Sequence, residues 1–213
     1  MTQIKICGIT RIEDALWAAE CGADALGFIF HEASPRHITP GQAREIIAAL
    51  PAGLVTVGVF VNRDAQEVMQ MADESGIGLI QLHGDESPAY CRSFPPERII
   101  KAVFPRTPEE LPALAAYEVR ALLADARDAG RYGGTGMNAD WKLAAGLAGG
   151  RPLILAGGLD CGNVGAALAA VDPGAVDINS GIEKAPGIKD HDLMKRIIDL
   201  IRREGNRGQR PVF

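Results

Sequence analysis

Short runs of β-branched and apolar residues alternate along the chain with longer segments in which apolar residues recur every three or four positions. The short runs are typical of buried strands, and the longer segments are typical of helices with one buried face. A repeated strand and helix unit predicts a parallel sheet, because each helix returns the chain to the start of the next strand. Eight strands are predicted, at 4–7, 25–30, 55–61, 79–82, 99–103, 119–123, 153–155 and 175–178.

Eight parallel strands in 213 residues favour an α/β fold of the (β/α)8 TIM barrel type. A doubly wound open sheet has the same alternation and is the competing architecture. No stretch has the composition of a linker, so we expect a single barrel domain over 1–213. The polar, glycine-containing segment at 204–213 is expected to fray.

Local signals for helix starts agree with this pattern. A Ser, Thr or Asp before the first turn can accept hydrogen bonds from free backbone N–H groups, and a following proline fits the first helical position. Such signals occur at Thr10 and Asp64, each with Glu three residues later, and at Thr39, Ser87 and Thr107, each followed by Pro.

Composition narrows the class of protein. The hydrophobic fraction of 47% and the charged fraction of 23% are those of globular proteins. The net charge of -5 and the pI near 5.4 argue against a nucleic-acid partner, which usually needs a basic face. We find neither a signal peptide nor an apolar stretch long enough to span a bilayer, so we expect no membrane association and a cytoplasmic location. Four cysteines without CxxC spacing indicate reduced thiols.

Chemically distinctive residues cluster where the predicted strands end. Barrels carry their chemistry at the carboxyl ends of the strands, and two predicted loops that are longer than a turn requires, 31–38 and 125–138, also begin there. The cluster comprises Cys7, Arg36, Gln81, His83, Asp125, Gly157, Gly158, Asp177, Ser180 and Gly181.

Each of these residues also has an ordinary structural interpretation when it is taken alone. A free cysteine is commonly a small buried hydrophobe, and a loop aspartate or arginine is commonly solvated. A pair of glycines commonly forms a tight turn, and a histidine is often only hydrogen-bonded. The positions at strand ends favour a shared site, but they leave its chemistry open.

An ordered set of motifs resembles the phosphoribosylanthranilate isomerase family. The motifs are individually weak, but together, in this order and at matching strand ends, they are specific, and they run from residue 3 to about the last helix. They are Lys5-Ile6-Cys7-Gly8-Ile9-Thr10, Ala23-Asp24-Ala25-Leu26-Gly27-Phe28, Ser34-Pro35-Arg36, Gln81-Leu82-His83-Gly84, Gly133-Gly134-Thr135-Gly136, Asp140-Trp141, Ala156-Gly157-Gly158-Leu159, Ser180-Gly181-Ile182-Glu183, Pro186-Gly187 and Lys189-Asp190.

Two positions depart from the family pattern. Ala139 stands where the family often has Phe, and this change is expected to affect packing. Asn179 stands where the family often has a second Ser, beside the expected phosphate loop, and it puts the hydrogen bonding of that loop in question.

The resemblance implies an acid and base reaction that converts N-(5-phosphoribosyl)anthranilate to 1-(2-carboxyphenylamino)-1-deoxyribulose 5-phosphate in tryptophan biosynthesis. It implies that Asp125 protonates the sugar ring oxygen and that Cys7 removes the C2 proton. A free thiol has a pKa of about 8.5, so Cys7 needs electropositive surroundings to act as a base. A carboxyl group needs apolar surroundings to stay protonated, and Asp128 is a nearby rival for Asp125.

The resemblance also implies the binding residues. The planar guanidinium of Arg36 suits the anthranilate carboxylate, and Gln81, His83 and Asp177 would line the pocket. Backbone N–H groups in the paired glycine loops suit a phosphate; these are Gly157 and Gly158 after the seventh strand, and Ser180 and Gly181 after the eighth. No Gly-Lys-Ser/Thr element follows 133–136, so we interpret that segment as a cover over the substrate rather than a P-loop.

No cofactor and no metal are expected, and Asp190-His191-Asp192 is interpreted as charge at a helix start rather than as a set of metal ligands. The expected partner is a small phosphorylated aminosugar, and the chain is expected to be a monomer or a homodimer. Two alternatives are weighed: the related aminoaldose isomerase of histidine synthesis, and a barrel that binds phosphorylated metabolites without turnover. Cys7 argues against the first, which has an aspartate at the first strand end, and the pair Cys7 and Asp125 argues against the second.

Overall fold

The computed structural model describes residues 1–125, 141–147, 151–205 and 212–213. Eight parallel strands pair in sequence order, and β8 pairs with β1 to close a barrel, which confirms the predicted fold class. The open-sheet alternative is therefore wrong. The strands are β1 (Gln3–Ile6), β2 (Ala25–Ile29), β3 (Val55–Phe60), β4 (Leu79–Leu82), β5 (Ile99–Val103), β6 (Ala121–Ala124), β7 (Leu153–Leu155) and β8 (Ala175–Ile178).

Helices follow most strands and pack on the outside of the barrel. Short 3-10 helices lie at Pro96–Arg98, Pro108–Ala116 and Ser180–Ile182, and a two-stranded antiparallel hairpin of β9 (Glu183–Ala185) and β10 (Ile188–Lys189) follows β8. The α-helices are α1 (Ile12–Cys21), α2 (Pro40–Ala48), α3 (Ala65–Ser75), α4 (Pro88–Cys91), α5 (Trp141–Leu147), α6 (Val164–Val171) and α7 (His191–Glu204).

The predicted strands agree with the observed ones to within two residues at every end. The helix after β5 differs from expectation, since Pro108–Ala116 is a 3-10 helix that contains Pro112. Proline cannot donate a backbone hydrogen bond, and its ring crowds the preceding turn, so a regular α-helix is disfavoured there.

Three of the predicted helix caps are confirmed. The side chains of Thr39, Asp64 and Ser87 each accept a hydrogen bond from a backbone N–H in the first turn. Thr107 makes no such bond. The cap predicted at Thr10 is wrong, because α1 begins one residue later and the Thr10 hydroxyl donates to the carbonyl of Gly187, 2.5 Å away.

Alternation along the strands divides the core into two layers. One face of each strand packs against the helices, and the other face fills the barrel. The interior cluster consists mostly of small and aliphatic side chains: Ala25, Val57, Leu79, Ile100, Ala102, Ala121, Leu123, Ile154, Ala156 and Ala175. At the carboxyl ends of several strands, the same face continues into polar side chains.

The chain end lies at the opposite mouth of the barrel. Val212 is buried against the interior cluster, and the backbone N–H groups of Val212 and Phe213 donate to the side chain of Gln3. Residues 206–211, in which most of the expected fraying falls, lie outside the described residues, and fraying there stays a prediction. Within the ranges described above, no helix combines the length and the apolar character that crossing a membrane requires.

Candidate active site

Cys7 lies at the carboxyl end of β1 and faces the barrel mouth beside Lys5, two residues earlier on the same face. The ammonium Nζ of Lys5 is 2.7 Å from Oδ2 of Asp177 on β8, and its positive charge acts on the Cys7 thiol to lower the pKa of that thiol. All three side chains are buried. The first and last strands therefore bring together a thiol, an ammonium and a carboxylate.

Charges of both signs act on the pKa of the Cys7 thiol. Burial raises the pKa of Cys7, and the Asp177 carboxylate raises it further. The ammonium groups of Lys5 and Lys189 oppose this rise, but the pKa of the thiol stays above its ordinary value. A higher pH is therefore needed to form the thiolate.

Asp125 directly follows β6 and bonds to His83 from β4. Nε2 of His83 is 3.0 Å from Oδ2 of Asp125, and Nδ1 of His83 is 2.8 Å from Nε2 of Gln81. If the Gln81 amide donates to Nδ1, the imidazole proton lies on Nε2 and points at the Asp125 carboxyl. The ring of Phe104 packs edge-on against His83. Three of the residues predicted from the sequence thus form one hydrogen-bonded chain.

Arg36 lies in the loop after β2 and pairs with Glu183 at the start of β9. Its Nε is 2.9 and 3.1 Å from the two carboxylate oxygens, and its Nη2 is 2.6 Å from Oε2. Burial raises the pKa of Glu183, but hydrogen bonds from Arg36 and Lys189 outweigh burial and lower the pKa below its usual value. The guanidinium is thus held rigidly by an internal carboxylate.

The Arg36 pair touches the end of β1 through Gly8 and Asn179. A Cβ on Gly8, which has φ 71, would lie 2.6 Å from Oδ1 of Asn179 and 2.8 Å from Cδ of Arg36. Asn179 accepts a hydrogen bond from Lys189 Nζ at 2.9 Å. The family departure at Asn179 therefore places an amide between the cation of Lys189 and the Arg36 loop.

The two glycine loops lie against one another at the same mouth. Gly157 and Gly158 have positive φ values of 91 and 63, which glycine adopts without strain. A Cβ on Gly181 would lie 2.0 Å from the carbonyl oxygen of Leu159, so the loop after β8 packs directly on the loop after β7. Among the described residues, none of the backbone N–H groups of Gly157, Gly158, Ser180 and Gly181 donates a hydrogen bond to another residue.

The remaining predicted features lie outside the described residues or away from the barrel mouth. The segment 133–136, Asp128 and Ala139 lie outside the described residues. The helix-start interpretation of Asp190 is confirmed, since its side chain accepts hydrogen bonds from the N–H groups of Asp192 and Leu193. In the described ranges, no group of three or more potential ligands is placed to hold a metal ion.

Sequence reasoning gave no role to Lys5, Glu183 or Lys189. All three have charged side chains that are no more than 5% exposed. A signal for Lys5 was present, because a lysine in an apolar strand, two residues before Cys7, must share its face. No local signal identified Glu183 as the partner of Arg36, because the two are 147 residues apart.

The order of strands fixes how these groups face each other. In the closed barrel, β1 lies opposite β5, and β4 and β6 flank β5. Cys7 therefore lies on one side of the mouth, and the His83 and Asp125 pair lies on the other. The Arg36 pair and the loop after β8 occupy the rim on the Cys7 side, and the loop after β7 lies midway between β1 and β5.

The chain matches a protein family and known relatives over most of its length. The model of the family described as N-(5'phosphoribosyl)anthranilate (PRA) isomerase matches residues 4–200. The N-(5'-phosphoribosyl)anthranilate isomerase of Syntrophus aciditrophicus is 50% identical over 203 residues, which cover 95% of this chain and 88% of that protein.

Solved structures agree. The crystal structure of the phosphoribosyl anthranilate isomerase from Thermotoga maritima superimposes with a TM-score of 0.87 at 40% identity, covering 95% of this chain and 99% of that one. A phosphoribosyl anthranilate isomerase in complex with reduced 1-(o-carboxyphenylamino)-1-deoxyribulose 5-phosphate gives a TM-score of 0.79 at 38% identity, covering 93% and 97%.

Proposed function

Since the chain belongs to the N-(5'-phosphoribosyl)anthranilate isomerase family and is an isomerase of tryptophan biosynthesis, we propose that Cys7 is its general base and Asp125 its general acid. The observation that carries this assignment is their placement on opposite sides of one barrel mouth. The substrate is N-(5-phosphoribosyl)anthranilate, and the product is 1-(2-carboxyphenylamino)-1-deoxyribulose 5-phosphate.

Asp125 begins the reaction by giving its proton to the ring oxygen as the bond from that oxygen to C1 breaks. The anilino nitrogen supplies the electron pair for the new C1–N double bond. Cys7 as thiolate then takes the C2 proton, and the electrons of that C–H bond form a C1–C2 double bond and return a pair to nitrogen. The enolamine becomes the ketone when its hydroxyl proton leaves and C1 gains a proton; over this step Asp125 regains the proton that it gave and Cys7 loses the proton that it took, so atoms balance without any cofactor.

The His83 contact supports Asp125 as the acid. Once Asp125 has lost its proton, an N–H from Nε2 of His83, 3.0 Å away, stabilises the carboxylate in a site where its side chain is 7% exposed. A donor that is already in place lowers the free energy of the transition state in which this charge develops. Gln81 holds the imidazole in the required orientation.

The anthranilate carboxylate is assigned to Arg36. Glu183 contacts only Nε and Nη2 of the guanidinium, so the two Nη1 hydrogens are directed elsewhere. Glu183 thereby fixes the plane of the guanidinium, and an already oriented guanidinium loses less conformational entropy when it binds the anthranilate carboxylate. Asp177 would line the pocket beside Cys7 through its oxygen Oδ1, which is buried and has no partner among the described residues.

The phosphate is assigned to the two glycine loops. The N–H groups of Gly157, Gly158, Ser180 and Gly181 can donate to phosphate oxygens where the loops after β7 and β8 meet, the usual phosphate position in barrels of this kind. All of these groups come from one chain, so the proposed activity needs no second subunit. The oligomeric state, monomer or homodimer, and the cytoplasmic location stay predictions.

The reaction is followed through the fluorescence of the anthranilate-containing substrate. The purified, folded protein is expected to change that signal with the time course of a catalysed reaction, and the product is identified by mass and chromatographic comparison. A folded protein that leaves the fluorescence at the uncatalysed rate rules out the activity.

Replacement of Arg36 with alanine is expected to raise KM for the substrate about 10- to 150-fold, the equivalent of about 1.5–3 kcal/mol for a lost charge-assisted pair. Arg63 is a suitable control, because its guanidinium pairs with Glu67 on the surface of α3, so Arg63→Ala is expected to leave KM unchanged. An unaltered KM in Arg36→Ala would place its guanidinium outside the substrate pocket.

The pH profile provides an independent prediction. Burial and the Asp177 carboxylate raise the pKa of Cys7, and only the thiolate accepts a proton. In Asp125→Asn, in which the proposed acid no longer titrates, the residual kcat/KM is therefore expected to increase about tenfold per pH unit through neutrality and to level off only above about pH 8.5, where an ordinary thiol titrates. Initial rates between about pH 6 and about pH 10 measure this limb. A profile that is flat above pH 7 contradicts a thiol base with a raised pKa.

A further inference from the structure

Lys5 is a buried cation that the assigned chemistry does not use. Its side chain is fully buried, and Asp177 holds its Nζ at 2.7 Å. Burial lowers the pKa of Lys5, but attraction by Asp177 and Cys7 outweighs burial and raises it, so the ammonium stays charged. A charge inside a barrel is costly unless it is paired, and here its environment includes a proposed catalytic group.

The backbone forces Lys5 and Cys7 together. They occupy alternate positions of β1, so both side chains enter the barrel, and both cross the α-carbon of Gly27 on β2. A Cβ on Gly27 would lie 2.7 Å from Cys7 Sγ and 2.9 Å from Lys5 Nζ. The absence of a side chain at Gly27 therefore creates the space in which the thiol and the ammonium meet.

We propose that Lys5 is a positioning residue for Cys7: its ammonium group, anchored by Asp177, holds the sulfur over Gly27 and balances the negative charge of the thiolate. This role rests on the proposed function of Cys7 as the base. Lys5 does not touch the reacting carbon; it acts through the sulfur.

The charged groups that influence the ionisation of Cys7 come from three strands. Lys5 on β1 and Lys189 on β10 favour the thiolate, and Asp177 on β8 opposes it. The cation of Lys189 is itself shared with Glu183, at 3.0 Å, and with Asn179. Burial lowers the pKa of Lys189, whereas the pKa of Lys5 is raised. Lys5 is thus the cation that stays charged over the wider pH range.

The test measures the ionisation of Cys7 directly. Iodoacetamide reacts with thiolates, so the rate of Cys7 labelling, resolved from the other cysteines by peptide mass spectrometry, rises with pH to a midpoint. In Lys5→Met this midpoint is expected to rise by about one pH unit or more. The fall in kcat at neutral pH is expected to be about tenfold or more, with KM nearly unchanged.

Lys101→Met is the matched control. Lys101 is 2% exposed and lies on β5, where it pairs with Glu86 at 2.8 Å, so its loss also leaves a buried carboxylate without its cation. Its hydrogen bonds run to the carbonyls of Leu82 and Gly84 and not to the thiol. The destabilisation should be similar, whereas the Cys7 labelling midpoint should stay at the wild-type value.

A second pair of variants removes the negative charge of Asp177, which Lys5→Met would leave buried without its cation. Asp177→Asn is compared with the double variant Lys5→Met/Asp177→Asn, and the midpoint is expected to be higher in the double variant. The role of Lys5 is overturned if the folded Lys5→Met protein has the same labelling midpoint as the wild type, or if the folded double variant has the same midpoint as Asp177→Asn. It is also overturned if Lys101→Met shifts the midpoint as much as Lys5→Met does. This test is separate from the test of the proposed function. If the wild-type protein isomerises the substrate but the midpoints are equal, only the positioning role of Lys5 is refuted. If the folded wild-type protein is inactive, the proposed function is refuted.

Discussion

Replacement of Cys7 with alanine is expected to lower kcat about 10²- to 10⁴-fold, the range that a positioned general base contributes. Affinity for the product is expected to stay near the wild-type value, because the proposed contacts to the carboxylate and the phosphate come from Arg36 and the glycine loops. A loss in kcat with intact binding is the signature of an interaction made in the transition state. The measurements are steady-state fluorescence kinetics and titration with product.

A thiol elsewhere in the chain provides the control. Cys161 lies before α6, its Sγ contacts the carbonyl of Leu193 on α7 at 3.8 Å, and the proposed function gives it no role. Cys161→Ala is expected to keep full activity, and Cys7→Ser should lie close to Cys7→Ala, because a hydroxyl is a poor base at neutral pH. Normal turnover by Cys7→Ala would assign proton removal to another group, and simultaneous loss of product binding would make Cys7 structural.

The architecture was predictable because local rules agree along the chain. The runs at 79–82, 99–103, 153–155 and 175–178 are strands with these same bounds in the structure. Period-two alternation also explains why Asp125 is at the site: it shares a strand face with Leu123 and Ala121, both of which fill the barrel interior. A position in the chain was thus enough to direct this carboxyl toward the mouth.

The ion pairs of the site were not predictable in this way. Lys5 and Asp177 are separated by 172 residues, and Arg36 and Glu183 by 147. Closing the barrel brings such positions together, but which charges pair depends on side-chain reach across the mouth. Sequence reasoning gave Arg36 a ligand carboxylate, whereas the structure pairs it with the internal carboxylate of Glu183.

The failed cap at Thr10 has a similar cause. Its spacing to Glu13 satisfies the local rule, yet the hairpin between β9 and β10 brings the Gly187 carbonyl to the Thr10 hydroxyl. A tertiary contact has replaced a local one. The 3-10 helix with Pro112 is the opposite case, because the proline that disfavours an α-helix was present in the sequence.

Asp125→Asn is the second substitution expected to have a large effect. Asparagine has the same shape and can still accept a hydrogen bond from His83, but it carries no acidic proton for the sugar ring oxygen. The expected fall in kcat is about 10²- to 10⁴-fold, with product affinity nearly unchanged. Asp64→Asn is the matched control, since Asp64 caps α3 and asparagine caps equally well; this variant should retain both stability and activity.

The same substitution at Asp128 decides between the two carboxyls of the segment. If Asp125 is the proton donor, Asp128→Asn retains most of the activity. If Asp128→Asn is inactive and Asp125→Asn is active, the acid is Asp128.

His83→Gln measures what the imidazole contributes to the acid, because loss of the imidazole removes the N–H that stabilises the Asp125 carboxylate. This variant should lose less kcat than Asp125→Asn, since the acidic proton is still present. Equal losses would mean that the carboxyl acts only when the imidazole is bound to it.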